Sequence, residues 1–176
     1  MTAAPVLAFR VAGQPTTQGS KSAFVVKSKA TGQPRAVMFD QKPERLQAWR
    51  ESIRSTAAET AGDAWEPLSG PVRVDLWLAL PKPASTPKKR RVWPIGGRSG
   101  DADKLARACL DAITQAGIWR DDSQVVELRV VKDYPEHVQQ LSPGVIVRVW
   151  RVDSQVPPPS TGQIPIFITP GEGANL

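Results

Sequence analysis

The sequence predicts an α+β domain, a small mixed β-sheet carrying two principal helices. Three observations carry this. "PVRVDLWLAL" alternates so that Val72, Val74, Leu76, Leu78 and Leu80 share one face, the period-2 signature of a strand. Leu46, Trp49, Ile53 and Ala57 recur at helical spacing, with charges elsewhere around the turn. Three more apolar runs, beginning at Val6, Gln124 and Gly144, read as strands. A chain of 176 residues suffices for one domain with a real core and is thin for two.

In chain order, Val6 to Val11 reads as the first strand, followed by the polar Gly/Pro loop "AGQPTTQGSK". "AFVVKSK" and "RAVMFD" flank the turn signal "ATGQP", which predicts a hairpin. The first helix is bracketed by Pro43 near its start and Gly62 after its end. After the alternating strand comes a long Pro/Gly/Ser segment from Lys82 to Gly100, and loops of that length are usually functional or disordered. A second helix is expected from about Asp103 to Ala116, with Leu105, Ala108, Cys109, Ala112 and Ile113 on its apolar face and Gly117 as its stop. "GIWRDDSQ" is a turn and "QVVELRVVKDY" a strand, with "GVIVRVWRV" expected antiparallel to it. From Ser154 the chain is rich in Pro and Gly. The expected organisation is a domain over 1–153 and a mobile tail over 154–176, whose "IPIFIT" is apolar enough to dock on a partner.

Composition removes several function classes. One cysteine, Cys109, excludes an intramolecular disulfide and a cysteine-rich zinc site, and one histidine, His137, excludes a multi-histidine metal site. A catalytic metal would need oxygen ligands, which suit magnesium, manganese or calcium. No apolar run approaches the roughly 18 residues that span a membrane. The first residues lack a basic segment before the apolar stretch, so they read as a strand and not a signal peptide. A net charge of +6 and a pI near 9.8 suit a polyanionic partner such as nucleic acid.

Against that basic background, Gly100 to Val125 gathers Asp101, Asp103, Asp111, Asp121 and Asp122. Asp101 and Asp103 stand at a helix start, where one aspartate serves as a cap but two are not needed. Asp121 and Asp122 follow the helix in a turn, where aspartates usually bond the local backbone. A helix of that length is about 20 Å long, so the two pairs cannot meet directly along it. Arg107 and Asp111 are four apart, the spacing of a surface ion pair.

These residues carry a resemblance. "GDADKLARACLDAITQAGIWRDDSQVVELRVVK" resembles the signature of the RusA-type Holliday junction resolvases, crossover junction endodeoxyribonucleases common in phages and prophages. The family pattern is Asp, any residue, Asp-Asn-Leu, a basic residue, "LDAL", a short break, Trp, "DDSQV" and a strand ending in Lys. The match runs from Asp101 to Lys132, and "GQPTTQGSK" is similar to the family's amino-terminal "GxPxxQGS". The resemblance implies a small dimeric α/β fold and magnesium-dependent, symmetric cutting of four-way DNA junctions in the cytoplasm, the host's if phage-encoded. It implies catalytic, metal-binding roles for Asp101, Asp103 and Asp122, with Asp121 as the partner acid and the acids of two copies gathered in one cluster. Manganese is the alternative metal.

Two positions depart from the pattern. Lys104 stands where the family has Asn, and Arg107 where it has a catalytic lysine. Arginine keeps the charge and holds phosphate bidentately, but cannot donate a proton near neutral pH. Arg107 is therefore expected to stabilise developing phosphate charge. Unneutralised, the acids are expected to repel and raise at least one carboxyl pKa. Lys88, Lys89, Arg90, Arg91 and Arg98, with Lys104, are expected to neutralise DNA phosphates around the site. Trp93 has two readings, stacking on an exposed base or packing in the loop. The competing functions are a nuclease for other branched or single-stranded DNA and a branched-DNA-binding protein with impaired catalysis.

Overall fold

The computed structural model describes residues 4–19, 21–27, 34–40, 43–87, 90–138 and 140–152, with backbone alone for 21–27, 34–40 and Arg98. Lys88, Lys89 and the expected tail over 154–176 lie outside the described residues. The elements are β1 (Leu7–Ala12), β2 (Lys21–Lys27), β3 (Pro34–Asp40), α1 (Pro43–Ala61), β4 (Val72–Ala79), α2 (Ala102–Gln115), β5 (Val125–Asp133) and β6 (Gly144–Arg151).

β2 and β3 form the expected antiparallel hairpin, Lys21 opposite Asp40. The other strands make a mixed sheet in the order β1-β6-β4-β5. β4 and β5 run parallel, while β6 is antiparallel to both β1 and β4. β6 therefore runs antiparallel to β5, as expected, but does not pair with it: β4 lies between them, β6 is central and β5 is at the edge. Burial explains the difference. Val145, Val147 and Val149 of β6 are fully buried, whereas β5 buries only Asp133 and exposes Val126 to Arg129.

The alternating face of β4 buries Val72, Val74, Leu76 and Leu78 in the main core. α1 contributes Leu46, Trp49, Ile53 and Ala57, the four residues picked out by spacing. α2 contributes Leu105, Ala108, Cys109, Ala112 and Ile113. Cys109 is wholly enclosed, and burial pushes its thiol up to about 12, so it is an inert core residue. Both helices stop at a glycine in left-handed backbone, Gly62 at φ 77° and Gly117 at φ 74°. Asp75 of β4 is buried against the sheet, its charge matched by the Arg73 guanidinium through two bonds of 3.1 Å. Arg73 in turn stacks on Trp150 at 4.8 Å.

What positions the site is the crossover β4–loop–α2–β5. Parallel strands need such a return, so α2 runs back along the sheet. Its first turn lies at the end where β4 and β5 finish, and its last turn at the end where they begin.

Candidate active site

Asp101 occupies the N-cap position of α2, with extended backbone at φ −80° and ψ 141°, and its carbonyl accepts from the Leu105 N–H at 3.0 Å. Its side chain makes no capping bond. The carboxylate instead meets the Lys104 ammonium at 2.7 Å. The Lys104 hydrogen bond, then its charge, then the charge of Lys132 hold the Asp101 carboxyl below the usual range. Mutual repulsion of the acids therefore does not govern Asp101. The same contact raises the Lys104 pKa, and Asp103 adds to it. Asp103, in the first turn, is exposed.

Lys132 reaches this place from the far end of β5, donating to the Gly100 carbonyl at 2.6 Å. Gly100 has φ 74°, and a Cβ there would lie 2.4 Å from Thr17 Cγ2. Glycine is needed because the loop after β1 presses against this turn. That loop straps α2 near its first turn and again past its middle. The Gln18 N–H donates to the Lys104 carbonyl at 2.9 Å. The Gln18 amide donates to Asp111 and accepts from Arg50 at 3.2 Å. Asp111 also faces Arg50 at 3.8 Å, so the anticipated Arg107–Asp111 pair does not form. Arg107 remains exposed beside Gly19, with no hydrogen bond or ion pair among the described residues.

The other acidic pair lies at the opposite end of α2. Asp121 caps a short 3-10 turn, Asp122–Gln124, by accepting from the Ser123 N–H at 2.9 Å. The Ser123 side chain first, and then this backbone bond, hold its carboxyl below the usual range. Gln124 locks the turn. Its oxygen accepts from the Arg120 and Asp121 N–H groups at 2.9 and 3.2 Å, and its nitrogen donates to the Leu68 and Gly70 carbonyls, both at 2.9 Å. The Asp122 side chain is left exposed, with no hydrogen bond or ion pair among the described residues.

Of the expected phosphate contacts, Arg90 is exposed on the loop. Arg91 has another task as well: its fork grips the buried carboxylate of Asp133 and stacks on Trp93 at 3.9 Å. Trp119 packs in the core and donates to Thr114 Oγ1 at 2.7 Å, and His137 sits in an exposed 3-10 turn.

One copy of the chain thus brings together Asp101, Asp103, Lys104, Lys132 and the Gln18 strap, and leaves Asp121 and Asp122 at the far end of a 14-residue helix, about 20 Å away. Among the described residues no three His, Cys, Asp or Glu side chains gather to hold a metal ion. Magnesium commonly takes one or two carboxylates and completes its shell with water and phosphate. The Asp101–Asp103 pair fits that requirement, since neither carboxylate is consumed by a cap.

The sequence model of the family described as Endodeoxyribonuclease RusA matches residues 26–150, well over half of the chain. The chain belongs to the RusA family. Local similarity to curated RusA proteins is high but short. It is 57% identical over 35 residues to the crossover junction endodeoxyribonuclease RusA of Escherichia coli K12, covering 20% of this chain and 29% of that protein. The RusA of Enterobacteria phage 82 gives the same figures, and that of Escherichia coli O139:H28 is 56% identical over 32 residues, 18% and 27% of the two chains. These matches span under a third of the relatives' length.

Three residues at these two ends escaped the sequence reading: Gln18, Lys132 and Gln124. Gln18 and Lys132 each lay inside a stretch resembling the RusA pattern, but nothing local gave either a partner. Gln124 bonds four backbone groups, two of them more than fifty residues away in sequence.

Proposed function

We propose that this RusA-family chain is a magnesium-dependent endodeoxyribonuclease that resolves four-way DNA junctions as a homodimer. The observation that carries the reading is the head of α2, where Asp101 and Asp103 stand exposed without a capping duty amid cations. Magnesium, once bound, would lower the pKa of a coordinated water and neutralise phosphoryl oxygens. Asp101 and Asp103 would hold the ion, with manganese as its substitute. Arg107, without an ion-pair partner among the described residues, grips a phosphate oxygen pair as negative charge develops. Lys104, paired with Asp101 at 2.7 Å, is a cation that would be available to DNA phosphate if a metal took its place on that carboxylate. Arg90, with Lys88, Lys89, Arg91 and Arg98, steers the backbone of the DNA into the site. Asp122 stands too far from Asp101 to share an ion within one copy. It serves the site of a second copy, with Asp121 holding its turn in shape.

The test is cleavage of an immobile four-way junction against matched linear duplex, with and without magnesium, beside an Asp101→Asn control. Paired nicks on the junction that need both magnesium and Asp101 are expected. Equal cutting of duplex would overturn the junction reading. The 2.7 Å Lys104–Asp101 pair favours one second reading, a branched-DNA binder with impaired catalysis. Tight junction binding without cutting at any magnesium or manganese concentration would select it.

A further inference from the structure

We infer that Trp93 is a rigid stacking platform for an unpaired nucleobase. The inference rests on the proposal that the chain acts on branched DNA and adds a recognition element to it. Trp93 lies in the long loop between β4 and α2, where residues 82–100 include six cations and no acid. Its indole is 54% exposed. Single exposed aromatics are ordinary on a surface, but this one already has one face occupied. The Arg91 guanidinium stacks on that ring at 3.9 Å. Arg91 is itself fixed, because its fork holds Asp133, which is 3% exposed and also accepts from the Tyr134 N–H at 2.8 Å. Breaking that grip would leave a buried carboxylate unpaired, so the arginine and the ring above it are held in place.

The backbone around the ring is fixed too. Pro94 is buried, and the Ile95 N–H turns back to the Trp93 carbonyl at 2.9 Å. Ile95 is 85% exposed, which makes the tip of the loop apolar as well as aromatic. The tip stands at the same end of the sheet as the candidate site. Asp133, which anchors Arg91, directly follows Lys132, which reaches the turn before Asp101.

A pre-ordered indole with one free face, set among cations, matches the chemistry of a base lifted from its stack. The cations hold the phosphate and the ring holds the base. Regular duplex hides its base faces and gives the ring nothing to stack on, whereas a strand crossover exposes them. Such a platform would favour branched over linear DNA without reading sequence. Trp93 and Ile95 act on the DNA, while Arg91 and Asp133 position the ring.

The experiment measures binding of the full chain to three probes in calcium, which supports binding without the magnesium chemistry: a four-way junction with 2-aminopurine at the crossover, a single-stranded oligonucleotide and a linear duplex. Trp93→Ala is expected to weaken junction and single-strand binding by about ten-fold or more and to lower the 2-aminopurine response, with duplex binding unchanged. Trp93→Phe is expected to retain most of the affinity. Asp133→Asn, confirmed folded by its thermal transition, is expected to fall between them. Equal loss on all three probes, or no loss on any, would overturn the platform. So would a change in sedimentation of Trp93→Ala without DNA, which would put the indole in a protein interface. If the wild-type chain does not prefer the junction, the resolvase proposal fails. The platform then stands or falls on single-strand binding alone.

Discussion

The two ends of α2 carry the same residue type and use it differently. At the head, Asp101 is claimed by Lys104 at 2.7 Å and the Asp103 carboxylate makes no hydrogen bond among the described residues. At the tail, Asp121 is claimed by the Ser123 N–H at 2.9 Å and the Asp122 carboxylate makes none in the same sense. Each pair thus has one engaged carboxylate and one that is available. The engagement differs in kind. Lys104 is an exchangeable side-chain cation that a metal can replace, whereas the Ser123 bond is part of the turn itself. An acidic cluster in sequence is therefore not yet a site: Asp101, Asp111 and Asp121 are committed to partners, and Asp103 and Asp122 stand at two ends of one rod.

The sharpest way to break this comparison is to disable each end separately. Asp103→Asn and Asp122→Asn are each expected to lower junction cleavage by more than ~100-fold, beyond the ~10–100-fold typical of losing an outer partner of a metal site. Mixing and refolding the two variants together should restore nicking, because a mixed pair of copies rebuilds one intact head–tail combination. Mixing Asp101→Asn with Asp103→Asn should restore nothing. Recovery in neither mixture would mean that the tail acid does not serve a second copy.

Gln18→Leu tests what steadies the head. It removes the bonds to Asp111 and Arg50 and is expected to cost about 1–2 kcal/mol in urea unfolding. Amide hydrogen exchange over residues 13–19 should quicken, while exchange in the turn at Asp122 stays as it was. Uniform quickening would show that the strap supports the whole fold and not the head alone.

Within the tail pair, Asp121→Asn should leave cleavage within a few-fold, since asparagine caps nearly as well as aspartate. A loss as deep as that of Asp122→Asn would make Asp121 a ligand.

The smallest expected effect concerns Lys104. The Asp101 carboxyl is held low by Lys104, so it stays charged below the usual carboxylate range and loses its charge only as pH falls through that lowered value. Its contribution to stability is present above the ordinary carboxylate range and is lost on acidification. Lys104→Ala should move its titration, followed by carboxyl NMR, upward toward the ordinary value. Magnesium should then bind a few-fold more tightly, because no ammonium competes. An unmoved titration would remove Lys104 from the site.

Much of this was legible in the residues. The helical spacing of Leu46, Trp49, Ile53 and Ala57 and the alternation of β4 are local patterns, and both faces are buried as the patterns required. The position of β6 was not legible, because a strand's composition does not name its neighbour. The Arg107–Asp111 pair failed for a related reason. Spacing on a helix offers a partner, but Gln18 and Arg50 from elsewhere in the chain reached Asp111 instead. Arg91 looked like one more cation in a basic run until the end of β5 brought Asp133 to it.

By itself the sequence determined the elements, the apolar faces, the inert cysteine and, through one run of about thirty residues, the family. These depend on side-chain period, backbone preference and residue chemistry, all of which act over a few positions. Only the tertiary structure decided that α2 holds its acid pairs at opposite ends, that the loop after β1 straps it near its first turn and again past its middle, and that a buried carboxylate fixes Arg91 and Trp93. Those facts follow from the parallel pairing of β4 with β5, which obliges the helix between them to run back along the sheet.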